Sequence, residues 1–187
     1  SRTGQLLNLS SLSNECDVQV NTIKSWLSIL EASFVIRLHR PYFKNIGKRL
    51  VKSPKLYFLD VGLASYLLGI KTDKHLKNHP LKGALFETLI VSELLKNKFN
   101  NTTGDNMFFY RDHKGNEIDV VLDSGYNLTL IEIKSGQTMH DGFIKSLNSL
   151  DNLADHNIKK HIIYGGNQNT KYKNIHIHRW DNIPAFD

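Results

Sequence analysis

Residues Glu117-Ile-Asp-Val-Val-Leu-Asp123 and Asn127-Leu-Thr-Leu-Ile-Glu-Ile-Lys134 form two consecutive segments that predict a β-hairpin. Side chains alternate between the two faces of a strand, so Glu132 and Lys134 point the same way from an otherwise apolar segment. A hairpin can bring Asp119 alongside them. Two carboxylates beside one ammonium group can hold a divalent metal ion and a hydrolytic water. This trio is the main sign of a reaction in the chain.

The composition indicates a folded protein with a basic surface. The chain has 187 residues, 40% of them hydrophobic, which is enough for one large domain or two small ones with a packed core. Lys and Arg number 24 against 18 acids, a net charge of +6. This excess favours an anionic partner, nucleic acid first, although an ordinary basic domain is the alternative.

Other features of the composition exclude several classes. The single cysteine, Cys16, excludes an internal disulfide and a multi-cysteine zinc site. No apolar run reaches the length of a bilayer span and no export leader opens the chain, so we expect a cytoplasmic protein with no membrane partner. The sequence contains no signal for an oligomeric state.

A polar, basic stretch over residues 71–80 predicts a linker between two domains. In the first domain, residues 1–70, a short helix beginning near Leu9 is followed by a turn and a second helix from Thr22 to Phe34. Two strands around Asn45-Ile-Gly47 follow, and they would form the wing of a winged helix-turn-helix. The apolar positions of the second helix fall at helical spacing and predict its buried face: Ile23, Trp26, Leu27, Leu30 and Phe34.

A recognition helix beside a basic wing is typical of a DNA-binding domain. The alternatives are a protein-binding winged helix and a solvated basic face. The residues that we predict to contact DNA are Lys24, Ser25, Arg40, Lys44, Lys48, Arg49 and Lys52.

The second domain, residues 81–187, begins with a helix from Leu81 to Phe99. Glu87 falls in the apolar stripe of this helix, where an unpaired carboxylate is costly. It is therefore a candidate for function, and a buried ion pair with one Lys or Arg is the alternative. Three strands follow, the third apolar on both faces as in a central strand, and then a helix over about residues 141–153 and two further strands.

These residues resemble the motif of the PD-(D/E)-x-K nuclease superfamily, with Glu87 on the early helix, Asp119 on the second strand and Glu132-Ile-Lys134 on the third. The resemblance implies a restriction-endonuclease-like α/β domain with a mixed central sheet and the activity of a metal-dependent endonuclease. It implies that Asp119, Glu132 and the Ile133 main-chain carbonyl hold Mg²⁺ or Mn²⁺, with Glu87 as an accessory ligand. Lys134 would orient the attacking water. The proline of the motif is absent, since Ile118 precedes Asp119.

A second resemblance covers the whole chain. Thr3-Gly-Gln-Leu-Leu-Asn8, Lys48 to Leu63, Gly83-Ala-Leu-Phe-Glu87 and Glu117-Ile-Asp-Val120 are similar to the C-terminal region of a prokaryotic family of AAA-type ATP-binding proteins. The resemblance implies an ATPase domain earlier in the same full-length chain. This chain contains no G-x-x-x-x-G-K-[ST] motif, so we expect that it does not bind ATP by that device.

Three functions follow as hypotheses. The first is a Mg²⁺-dependent phosphodiesterase that acts on DNA. The second is a non-catalytic module that binds DNA or protein and regulates the ATPase domain, because nuclease folds are readily reused. The third is an interaction module that touches no nucleic acid.

Overall fold

The computed structural model describes residues 2–43, 51–100, 104–138, 141–144, 146–151 and 156–186. These residues form a mixed α/β protein that divides into two compact units. The first contains residues 1–39 and 53–92, and the second contains residues 40–52 and 93–187.

The helices are α1 (Leu9–Cys16), α2 (Val20–Ala32), α3 (Val61–Leu67), α4 (Asp73–Lys77) and α5 (Lys82–Asn100). The strands are β1 (Gln5–Leu6), β2 (Ile36–His39), β3 (Lys55–Phe58), β4 (Met107–Arg111), β5 (Glu117–Ser124), β6 (Asn127–Lys134), β7 (Asn157–Tyr164), β8 (Thr170–Tyr172) and β9 (Ile175–Arg179). The division between the units falls within α5, after Ser92.

The first unit is built on a three-stranded antiparallel sheet in the order β1-β3-β2. The Asn8 side chain accepts a hydrogen bond from the Ser11 amide and begins α1, and α2 begins after Gln19. The core between these helices and the sheet includes Ile23 and Leu27 of α2. Trp26, Leu30 and Phe34 were predicted to lie on the same buried face, but they are exposed.

The paired strands β2 and β3 correspond to the two strands predicted around Asn45-Ile-Gly47. The turn of the predicted wing lies outside the described residues. The predicted linker at residues 71–80 contains α4, with the Thr72 side chain accepting from the His75 amide at the start of the helix.

The second unit is built on a six-stranded mixed sheet in the order β4-β5-β6-β7-β9-β8. The pairs β4–β5, β5–β6 and β8–β9 are antiparallel, and β6–β7 and β7–β9 are parallel. The mixed central sheet predicted from the sequence is therefore confirmed. Residues 128–133 of β6 are all buried, as expected for a strand covered on both faces.

The segment after β6 differs from the prediction. Instead of one helix over residues 141–153, the described part of this segment forms two 3₁₀ turns, Asp141–Phe143 and Ser146–Leu150. Leu147 and Leu150 of the second turn are buried in the core of the second unit and pack this turn against the sheet. Within the described residues, every helix is too short or too polar to cross a lipid bilayer.

Candidate metal centre

Strand β5 places two carboxylates on one face of the sheet. Glu117 and Asp119 are two residues apart, so their side chains point the same way, and carboxylate oxygens of the two lie within 4.8 Å of each other. Asp119 is buried and Glu117 is half-buried. Two acidic groups this close repel each other unless a cation lies nearby.

Strand β6 adds a carboxylate and a cation. In the antiparallel pairing of β5 with β6, Val120 lies opposite Ile131 at the end of the ladder. The next pair in the same register is Asp119 and Glu132. Asp119 Oδ2 accepts a hydrogen bond of 2.8 Å from the Ile133 amide, which fixes the carboxylate against β6. Lys134 Nζ lies 2.5 Å from Glu132 Oε1. The predicted trio of Asp119, Glu132 and Lys134 therefore lies on neighbouring strands of one unit.

The Glu132 carboxylate is buried, with only 4% of the residue exposed. Burial raises the pKa of this carboxyl, the Lys134 ammonium and the Ser146 hydroxyl lower it, and Glu117 raises it again; the net direction is upward. Glu132 Oε2 and the nearby Ser146 Oγ are both buried, and neither forms a hydrogen bond of normal geometry with another described residue. A buried carboxylate oxygen without a donor is costly, and a cation in this position would remove that cost.

Glu117 has a partner on the edge of the same site. Its Oε2 atom accepts a hydrogen bond of 2.8 Å from Arg111 Nη1, across the β4–β5 register pair Arg111↔Glu117. Glu117 was not among the site residues predicted from the sequence. Strand alternation contains the signal that could have found it, because Glu117 lies two positions before Asp119.

Ile133 contributes its main chain to the site. Its amide is held by Asp119, and its side chain is buried. The expectation that its carbonyl is a metal ligand remains a prediction.

Glu87 lies in the first unit and has partners there. Its Oε1 atom accepts a hydrogen bond of 2.8 Å from Lys55 Nζ and another from the Tyr57 hydroxyl. The Lys55 side chain is 3% exposed and the Glu87 side chain is 19% exposed. The structure thus contains a buried ion pair of Glu87 with one lysine, which was the predicted alternative to a ligand role. The accessory-ligand role of Glu87 remains a prediction.

The predicted DNA-binding residues fall into two groups. Lys24, Ser25, Arg40 and Lys52 are exposed. The Ser25 hydroxyl donates to the Asn21 carbonyl of its own helix. The other three lie outside the described residues: Lys44, Lys48 and Arg49.

The fold and the site together define a class: an α/β protein with a six-stranded mixed sheet and a carboxylate–lysine cluster on its central strands. Residues 82–183 match the family described as Domain of unknown function (DUF4143), which is more than half of the chain, so the chain belongs to this family. Residues 1–74 match a second family, Domain of unknown function (DUF8612).

Two curated relatives are similar to this chain, an uncharacterized protein of Mycobacterium bovis and one of Mycobacterium tuberculosis. Each is 32% identical over 135 residues, which cover 72% of this chain and 30% of the relative. The chain thus matches less than a third of the length of these relatives. No solved structure matches the chain.

Proposed function

We propose that the second unit is a Mg²⁺-dependent phosphodiesterase that acts on DNA. The observation that supports this most directly is the Glu132 carboxylate, which is buried beside Lys134 and whose Oε2 atom forms no normal hydrogen bond within the described part of the chain. The aspartate on the neighbouring strand is held against the same segment by the Ile133 amide. Oxygen donors of this kind are those that Mg²⁺ prefers.

In this proposal Asp119, Glu132 and the Ile133 carbonyl would hold Mg²⁺ or Mn²⁺. When bound, the ion would act as a Lewis acid that lowers the pKa of bound water and neutralises negative charge on the phosphate. Lys134 Nζ is within hydrogen-bonding distance of Glu132 Oε1. In this proposal it would orient the attacking water and donate to a phosphate oxygen. The basic excess of the chain, +6, favours approach of a polyanion.

Nicking of supercoiled plasmid in Mg²⁺ or Mn²⁺ tests this function. We expect the wild-type chain to nick, and Asp119→Asn and Lys134→Ala to lose on the order of 100-fold or more of the rate. Asp123→Asn is a matched control, since Asp123 lies on the same strand and its Oδ1 accepts from the Gly125 amide in the turn. Equal nicking by Asp119→Asn and the wild type would exclude the proposal.

A second candidate function is a non-catalytic module that binds a protein partner. The exposed face of α2 favours it, because Trp26 and Ile29 are 47% and 62% exposed and Ser25 and Ser28 donate back to their own helix. The partner would be an ATPase domain of the same full-length chain. This part of the proposal rests on the resemblance to AAA-type proteins and on the greater length of the curated relatives.

A gel-shift experiment at low salt separates the two candidates. Non-specific DNA binding strengthens as salt falls, so the phosphodiesterase proposal expects a shift that weakens as salt is added. The protein-binding alternative expects no shift at any salt concentration.

A further inference from the structure

A pocket of about 330 Å³ lies in the second unit beyond the carboxyl ends of β6, β7 and β9. These three strands pair in parallel, so the loops that follow them leave the sheet at one edge. Ligands of open α/β sheets bind at this kind of edge. We call this cavity the Trp180 pocket after the aromatic residue that lines it.

The pocket lies on the same sheet edge as the end of the proposed catalytic strand. The registers Lys134↔Tyr164 and Tyr164↔Arg179 put the three residues level with one another across the sheet. Neighbouring strands are about 4.8 Å apart, so the main chain at Arg179 is roughly 10 Å from the main chain at Lys134. A polymer that reaches Lys134 can therefore also reach the pocket.

The floor of the pocket is fixed to that strand. The Gly165 amide donates to the Lys134 carbonyl at 3.0 Å and to the Gly136 carbonyl at 3.1 Å. A Cβ atom on Gly165 would lie 2.7 Å from the Ser135 carbonyl oxygen, so only glycine allows the loops after β6 and β7 to approach this closely. Movement of the pocket floor and movement of Lys134 are thus linked.

The walls suit a flat, polar ring. The Trp180 amide donates to the Tyr164 carbonyl at 3.1 Å, which anchors the residue, while 43% of Trp180 is exposed. Arg179 and Asp181 also line the pocket, and they pair with each other at 2.8 Å and 2.5 Å, so their charges largely cancel. Gln137 and Asn167, whose side chains carry amide donors and acceptors, also line the pocket.

We infer that the Trp180 pocket holds the base of a nucleotide that neighbours the phosphodiester at Asp119, Glu132 and Lys134. Bases of any sequence stack on an aromatic side chain, and the amide groups can bond to the edge of the base. Only an unpaired base can enter, so the preferred substrate is a single strand or an unpaired end. This inference rests on the proposed phosphodiesterase function.

Fluorescence of Trp180 tests the inference. The chain has two tryptophans, and Trp26→Phe leaves Trp180 as the only one. The 187-residue variant is titrated with oligothymidylate in EDTA, so that no cleavage occurs. We expect quenching of Trp180 by the oligonucleotide, and none by an abasic strand of the same length.

Affinity measured with a labelled oligonucleotide gives the second result. Trp180→Ala should weaken binding about tenfold, equivalent to about 1.4 kcal/mol, and Trp180→Phe should retain most of the affinity. Tyr172→Ala is a matched control, because Tyr172 is 42% exposed on β8 and does not line the pocket. Thermal unfolding confirms that each variant is folded.

The outcomes distinguish the pocket from the catalytic proposal. Unquenched Trp180 together with equal affinities of Trp180→Ala and the wild type would overturn the inference. If the oligonucleotide quenches Trp180 in EDTA but the protein never nicks plasmid in Mg²⁺ or Mn²⁺, the result would support the base-binding pocket and reject the phosphodiesterase function.

Discussion

The Glu132 carboxylate occupies a position where an apolar side chain would favour stability. It is buried on a central strand, and burial raises its pKa more than Lys134 lowers it. An acid that destabilises the folded state is expected where its chemistry is needed. We therefore expect Glu132 to lower the stability of the folded state while it contributes to the chemistry of the site.

We predict that Glu132→Gln stabilises the second unit above neutral pH. The folded state binds the Glu132 proton more tightly than the unfolded state, so stability falls as the pH rises from the ordinary pKa through the raised one. The variant lacks this loss, so it should be more stable than the wild type at alkaline pH and equal to the wild type at acidic pH. Thermal unfolding followed by circular dichroism at a series of pH values measures the stability of the variant and of the wild type, with Asp123→Asn as the control. A variant less stable than the wild type at alkaline pH would contradict this.

The partner of a side chain could be predicted from the sequence only when the two residues are close together in the chain. Strand alternation correctly put Glu132 and Lys134 on one face, where they form an ion pair. For Glu87, the cost of burial showed only that a partner or a ligand was needed. Its partner Lys55 is 32 residues away in the sequence, and no local spacing indicates such a pair.

Helix α2 shows what periodicity can and cannot determine. Its apolar spacing correctly placed Ile23 and Leu27 in the core, but Trp26 and Leu30 are exposed. Periodicity identifies a helix face, whereas the width of the covered stripe depends on the neighbouring elements. The sheet was more predictable, because a strand with two apolar faces must lie inside a sheet and between layers.

We predict different costs for two truncations on α2. Leu27 is 8% exposed and Ile29 is 62% exposed. Leu27→Ala should destabilise the first unit by about 2–4 kcal/mol through loss of buried contacts, and Ile29→Ala should change its stability by less than about 0.5 kcal/mol. Urea unfolding followed by Trp26 fluorescence in a Trp180→Phe background measures both. Similar losses for the two variants would show that the exposed face is packed.

Strands β7 and β9 place three histidines on one face, and we predict an acid-sensitive contribution to stability from them. His161 Nδ1 and His178 Nε2 are 2.9 Å apart. Burial, followed by His178, His176 and Lys159, lowers the pKa of His161 to about 4. The unfolded state therefore binds this proton first, and stability present above about pH 6.5 is lost as the pH falls towards 4.

Replacement of His161 tests this contribution. His161→Gln should lose less Tm than the wild type between neutral pH and about pH 5, because the group that resists protonation is gone. His113→Gln is the control, since His113 is exposed in the turn before β5. Equal acid sensitivity of the wild type and His161→Gln would assign the effect to other groups.

The whole chain combines two units that are not continuous in sequence. Residues 40–52 group with the C-terminal part, and residues 53–92 group with the N-terminal part. Composition can mark a polar stretch such as residues 71–80, but it cannot show a segment that leaves one unit and returns. The predicted boundaries of the two domains therefore remain predictions, while the family matches at residues 1–74 and 82–183 lie on either side of that stretch.

We predict that Mg²⁺ stabilises the second unit and leaves the first unchanged. A ligand bound only by the folded state adds RT ln(1 + [L]/Kd), which is about 1.4 kcal/mol at ten times Kd. For a unit of this size, that free energy corresponds to roughly 5–10 °C in Tm. Differential scanning calorimetry should show the Mg²⁺ shift only in the unfolding transition of the second unit. The transition of the first unit is identified as the one that Leu27→Ala moves, because Leu27 lies in the core of that unit. Asp119→Asn should abolish the Mg²⁺ shift and Asp123→Asn should keep it. A shift that survives in Asp119→Asn, or that occurs in the transition moved by Leu27→Ala, would place the metal elsewhere and would separate the carboxylate–lysine cluster from metal binding.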